Sequence, residues 1–208
     1  MIAMLGLALM ASAMAAAQPV ANSLQITARD YPEKAAASNE RGYALYRLVV
    51  SPQGTVVGCT TRGRSAIDSA ICAALQARAQ FQPATDEQGR PSFGVYEGMI
   101  AFRVKNRNMP PRPNRSVMTL TVDSLPEGAA NPSYSQVGLL VGPAGDILRC
   151  APMQHDAAQP AHVMKALGDI SCTQLPGSYR PEPARDANGA AVESVQTAMV
   201  RFALPEKP

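Results

Sequence analysis

A block of sequence that occurs twice constrains this chain more than any other feature. Val50-Ser51-Pro52-Gln53-Gly54 recurs as Val141-Gly142-Pro143-Ala144-Gly145, and each block leads, after its glycine, to a cysteine, Cys59 or Cys150. Cys72-Ala73-Ala74-Leu75 then answers to Cys172-Thr173-Gln174-Leu175. From there one register holds to the end of the chain: Pro83-Ala84 with Pro183-Ala184, Asp86 with Asp186, Gly89 with Gly189, Phe102 with Phe202. Self-similarity of this kind means one supersecondary unit used twice. The 208 residues are enough for two small units and too few for two large ones.

The first copy shows what the unit is. Gly42–Val50, rich in β-branched and aromatic residues, reads as a strand. Ser51-Pro52-Gln53-Gly54 is a turn, because proline presets the second position and glycine tolerates the last. Thr55–Thr61 returns as the second strand of a hairpin. Ser65 followed by Asp68 looks like a capping-box start, and Ile67, Ile71, Ala74 and Leu75 fall on one face of the helix that follows. Phe81–Pro91 reads as a loop and Phe93–Val104 as a closing strand, with a short helix expected at Glu33–Ala37 in front. The second copy repeats the order, with hairpin strands at Val137–Leu140 and Ile147–Cys150. Val163, Met164 and Leu167 mark its helix, Pro176-Gly177 is expected to end that helix early, and Ser194–Leu204 is its last strand. The fold class expected is α+β: two β-β-α-β units, each a short antiparallel sheet packed on one helix.

The chain opens with seventeen uncharged residues that end in Ala15-Ala16-Ala17. An apolar run closed by small residues reads as a secretory leader, with cleavage after Ala17 and an uncleaved inner-membrane anchor as the alternative. That places the protein in the periplasm and leaves the N-terminal segment as its one membrane contact. The expected division is a leader at 1–17, a first unit at 18–104, a spacer at 105–116 and a diverged second unit at 117–208. The spacer carries Lys105, Arg107, Arg112 and Arg115 with no acid, and Pro110, Pro111 and Pro113 stiffen it. It reads as a solvated connector, and the other reading is a contact with anionic lipid or cell-wall polymer.

Several function classes are excluded by what the residues lack. A net charge of +3 is too mild for a surface built to hold nucleic acid. His155 and His162 are the only histidines, and no phosphate loop, nucleophile elbow, HExxH or EF-hand spacing occurs. Asp68 and Asp86 fit a helix start and a turn better than acid–base chemistry. No cofactor and no catalytic or metal site is expected. The alternative to a binding module is a small periplasmic enzyme or ligand-binding protein with its site between the two repeats.

Tyr31-Pro32, the Pro52/Gly54 hairpin, Ile67-Asp68, Phe81-x-Pro83-Ala84, Gly89 and the closing strand together resemble the TonB C-terminal domain family over roughly residues 28–104. The second copy resembles a diverged member, with Leu125-Pro126 where Tyr31-Pro32 would stand. The resemblance implies a small sheet on one helix face and no enzymatic activity. It also implies a link to transport across the outer membrane, through β-augmentation of an envelope protein such as an outer-membrane transporter. The short route from Ala17 to the first strand departs from an energy transducer, which would need a long spacer, and favours an accessory or binding protein.

The cysteine pair also resembles a variant of that family found in exported proteins. Equivalent positions in the two copies point to Cys59–Cys72 and Cys150–Cys172 bridges, each closing a short loop. A zinc site of Cys150, His155, His162 and Cys172 matches no standard spacing. For the partner surface, the closing strand of the first copy is the expected edge, with Val95, Glu97, Met99, Ala101 and Arg103 as contact residues. Glu97 and Arg103 could equally be charges that guard a bare edge.

Overall fold

The computed structural model describes residues 14–62, 65–153 and 159–205. Its elements run β1 (Gln18–Pro19), a 3-10 turn at Ala28–Asp30, α1 (Glu33–Ala37), β2 (Gly42–Val50), β3 (Val56–Arg62), α2 (Ser65–Arg78), β4 (Phe81–Gln82), β5 (Ala84–Thr85) and β6 (Pro91–Phe102) in the first half. The second half has β7 (Met118–Thr121), β8 (Ser133–Val141), β9 (Ile147–Pro152), α3 (Ala161–Ser178), β10 (Ala184–Arg185), β11 (Ala191–Val192) and β12 (Ser194–Ala203). The mixed α+β architecture is the one the residues imply.

Turn chemistry sets both hairpins. Gly54 and Gly145 sit at φ +80° and +85°, where a side chain would be strained. Each donates its N–H back across the turn, to Ser51 and Gly142, at 2.9 Å. On α2 the apolar stripe Ile67, Ile71 and Leu75 is buried against Leu48, Val50 and Tyr46 of β2. In α3 Val163, Leu167 and Leu175 do the same against Val137, Leu139 and Val141. Pro176 does not end that helix, which runs to Ser178. A proline in the last turn forfeits only its own donor, and the Tyr179 N–H still closes on the Leu175 carbonyl at 2.9 Å.

The two halves do not form separate sheets. Their strands join in one path, β3-β2-β6-β12-β8-β9, with β7 beside β12 and β5 beside β6. The seam is parallel and short: Phe93 faces Ser194 and Gly94 faces Val195. Strand alternation then decides where the helices lie. Gly94 shares its face with Val50 and Leu48, under α2, so Val195 lies on that face too, and it is buried in the first core. Ala198, Val200 and Phe202, one register step away, face α3. The two helices therefore cover opposite faces of one continuous sheet.

Each half is also stapled. Cys59 on β3 is bonded to Cys72 on α2, and Cys150 on β9 to Cys172 on α3, with Cα separations of 5.5 and 5.4 Å. Both bridges tie an outermost strand of the sheet to the helix that covers it. At the N-terminus, Ala15, Gln18 and Pro19 pair with Thr85, Gln82 and Phe81. Ala16 and Ala17, assigned to the leader on sequence grounds, are buried in the first half. Residues 1–13 lie outside the described residues. Among those described, no helix is long and apolar enough to cross a membrane.

Candidate protein-interaction site

β6 is the edge of its own half, since β2 pairs it on one side from Gly94 to Phe102. On its other side β5 takes Pro91 and Ser92, and β12 takes Phe93 and Gly94. The expectation of a bare edge along the whole strand is thus corrected at its start, where the seam between the halves lies. From Val95 to Phe102 no described strand pairs with that outer side. Arg103 lies beyond the strand's end.

The direction of the backbone groups follows from one contact. The Glu97 carbonyl accepts a hydrogen bond from Arg115 Nη2 at 2.7 Å, so it points away from β2. Backbone groups alternate along an antiparallel ladder, so those of Val95, Met99 and Ala101 point outward as well. The same residues carry side chains on the face away from α2. Val95 is buried there with Val49 and Ala184, Met99 is half-buried, and Glu97 and Ala101 are exposed.

Beyond the seam β6 and β12 part. β7 lies along the end of β12, from Val200 to Ala203, and the spacer passes between. The spacer has no regular secondary structure after Asn106, and most of it is exposed, but it is tied down at intervals. Arg41 Nε donates to the Asn108 carbonyl at 2.8 Å, and Arg115 holds Glu97. A cavity of about 440 Å³ occupies this junction and touches Gly98, Val117, Tyr179 and Gln196. Its rim carries Arg47, Arg62, Arg115 and Arg180 against Glu97 and Glu182, an excess of positive charge.

Three of these cations are anchored: besides Arg115 on Glu97, Arg47 Nη2 donates to the Glu182 carbonyl at 2.8 Å, and Arg180 Nη2 to the Ala144 carbonyl at 2.9 Å. Tyr46, which also lines the cavity, is pushed far up by burial and by the neighbouring Tyr96, and Tyr179 is raised by burial and by Glu97. Both phenols stay protonated at any physiological pH and can only share hydrogen bonds. Sequence reading missed this cationic rim. Its members are scattered over two strands, the spacer and the α3–β10 loop, and only the spacer's basic run hinted at one of them.

The carboxylates do structural work. Asp86 Oδ1 accepts from the N–H groups of Gln88 and Arg90 at 2.9 Å each, and Oδ2 meets Arg90 Nε at 2.8 Å. The Arg90 and Gln88 donors hold its pKa down. Asp186 caps the equivalent turn through Asn188 and Ala190. Asp68 is raised by burial, opposed by a bond from Thr61; the Ser65 side chain that would complete its capping box lies outside the described residues. Among the described residues His162 meets the Glu127 carbonyl at 3.0 Å, and His155 is outside them. Cys150 and Cys172 are spent in a disulfide, which leaves the sequence's zinc alternative without its thiolates. Among the described residues no three metal-ligating groups converge.

Residues 27–104 match the model of the family described as Gram-negative bacterial TonB protein C-terminal. Over that stretch, 78 of the 208 residues, the chain is similar to the family. No curated protein and no solved structure matches the chain.

Proposed function

We propose that the chain is an exported, non-enzymatic interaction module of the periplasm. In this reading it binds an envelope protein, an outer-membrane transporter by the family's likeness, through strand addition to the open side of β6. The second half, which repeats the hairpin–helix–hairpin–strand order, is read as a diverged copy of the first, separated from it by the 105–116 spacer. The observation that carries the reading is the run Val95–Phe102: a strand paired by β2 on one side and by no described strand on the other, with a cavity opening beside Glu97 and Gly98. Main-chain bonds there would supply affinity, and the half-buried Met99 and the cationic rim would select the incoming segment. A ligand-binding protein is the second reading, favoured by the arginines around the same cavity.

The test is photo-crosslinking in intact cells from a probe at Ala101, with and without Met99→Pro. The Met99 N–H points outward, so proline there removes a donor without touching the β2 ladder. A crosslink to an outer-membrane protein that Met99→Pro abolishes, while both disulfides still form, is the expected result. Unchanged crosslinking in a folded Met99→Pro protein, or no protein crosslink at all, overturns the proposal.

A further inference from the structure

The last residues of the apolar run contain three overlapping small-x-small sites, Ala11-Ser12-Ala13, Ala13-Met14-Ala15 and Ala15-Ala16-Ala17, and each has the form a leader peptidase accepts. Sequence alone does not choose among them. The folded chain does. We propose that the leader is cut after Ala13, so that the mature protein begins at Met14 and keeps Ala15–Ala17 as part of its folded first half. The proposal rests on the reading of this chain as exported.

Four observations carry it. First, residues 15–20 lie antiparallel to residues 80–85 in one unbroken register. Ala15 exchanges both backbone bonds with Thr85, at 3.0 and 2.9 Å; Gln18 and Pro19 pair with Gln82 and Phe81; and the Val20 N–H reaches the Gln80 carbonyl at 2.8 Å. Second, Ala16 and Ala17 are buried, 6% and 2% exposed, and Ala17 is as deep as Ile67 of α2. Third, Gly94 makes room for Ala17. A Cβ at 94 would stand 2.8 Å from the Ala17 Cβ and 3.0 Å from the Ala84 Cβ, so the glycine leaves room for both methyl groups. Fourth, Met14 packs on the first core, and its methyl reaches the space beside Gly138 on β8, touching both halves at once.

The alternatives each damage this arrangement. A cut after Ala15 removes the residue that closes the ladder and the methionine that spans the two halves. A cut after Ala17 also strips two buried residues, Ala16 and Ala17, the second of them from over Gly94, next to the seam where β6 meets β12. Only the cut after Ala13 leaves every paired and buried residue of the segment in the mature chain.

The experiment is intact-mass measurement and N-terminal sequencing of the protein expressed from Met1 in a Gram-negative host, with periplasmic, membrane and cytoplasmic fractions analysed separately. A periplasmic chain starting at Met14 is expected. The Ala13→Leu variant places a bulky residue at the cut and should lose the form that begins at Met14, with precursor accumulating or the cut moving to the intact Ala15-Ala16-Ala17 site. A mature N-terminus at Ala16 or Gln18 in the unsubstituted chain, or a Met14 start in Ala13→Leu, overturns the cleavage position and leaves the export reading standing. A chain that keeps Met1 in the membrane fraction overturns cleavage altogether and makes the segment the uncleaved anchor, and one that keeps Met1 in the cytoplasm overturns the export reading itself.

Discussion

Gly94→Ala puts the role of the N-terminal strand on an energetic scale. The added methyl would lie 2.8 Å from the Ala17 Cβ and 3.0 Å from the Ala84 Cβ, against a carbon–carbon optimum of about 3.5–4.0 Å. Both neighbours are Cβ atoms fixed to strand backbone, so neither can rotate away. The strands must separate, and overpacking of this kind costs about 1–3 kcal/mol. Ala17→Gly taken alone loses a buried methyl worth about 0.8 kcal/mol, and glycine's backbone freedom in a strand adds about 0.5–1 kcal/mol.

The double variant separates this account from a general intolerance at either site. Without the Ala17 methyl the shorter of the two clashes is gone, so Gly94→Ala in that background should cost at least about 1 kcal/mol less than it does alone. Urea unfolding of oxidised chains that begin at Met14 gives the four free energies of the cycle by linear extrapolation. Costs that add to within about 0.5 kcal/mol would mean that Ala17 does not sit on Gly94 in solution. The packing argument, and the mature N-terminus inferred from it, would then fail together.

Removing the disulfides one at a time, as Cys59→Ala/Cys72→Ala and Cys150→Ala/Cys172→Ala, should each cost about 3 kcal/mol in the same assay, the larger loss falling on the second because its loop is longer, 22 against 13 residues of separation. A loss under about 1 kcal/mol for either pair would show that the bridge does not restrain the unfolded chain. The protein should lose stability in acid as well. Asp30 is held low by Arg78 and by Thr27, and Asp86 by its Arg90 and Gln88 donors. Their stabilisation is complete above the ordinary carboxylate value of 3.8 and disappears as pH falls through the depressed folded values. Unfolding followed from neutral pH into that range should show a shallower acid decline in Asp30→Asn and Asp86→Asn than in the parent, and equal slopes would rule out both groups as its source.

How much of this was legible depended on whether a residue's role was local. The Pro52/Gly54 and Pro143/Gly145 turns, the α2 stripe at Ile67, Ile71 and Leu75, and the paired cysteine positions are set by neighbours within a few turns of chain, and each can be read from the repeat register. The seam could not be read that way. Nothing in the pattern of Phe93-Gly94 or Ser194-Val195 distinguishes an edge facing water from an edge facing the other copy, and Val195 belongs to a core whose remaining members lie mostly in the first half. The alanine run failed for a different reason. Alanine satisfies a peptidase because it is small, and it fits over Gly94 because it is small, so one composition serves a leader and a strand equally well. Arg115 was hidden because it binds a backbone carbonyl, and a carbonyl leaves no trace in sequence.

The shared sheet also explains how a long open strand edge can be carried safely. Unpaired edges invite pairing with further copies of the same chain. The two ends of the sheet path, β3 and β9, are short, 7 and 6 residues, and each is bridged to a helix by its disulfide. The longer open stretch, Val95–Phe102, is placed inside the molecule's outline, between β6 and the spacer that leads to β7. A second folded copy would have to bring a whole sheet edge into that space, where the spacer and the second half stand in its way. A single extended segment needs room only for its own backbone and one row of side chains. Arg115 on the Glu97 carbonyl would be the first contact such a segment displaces, and the arginines around the cavity favour one that brings negative charge. In the proposed reading, joining β6 to β12 at one end while parting them at the other would work against self-association and leave the edge open to an unfolded strand from a partner.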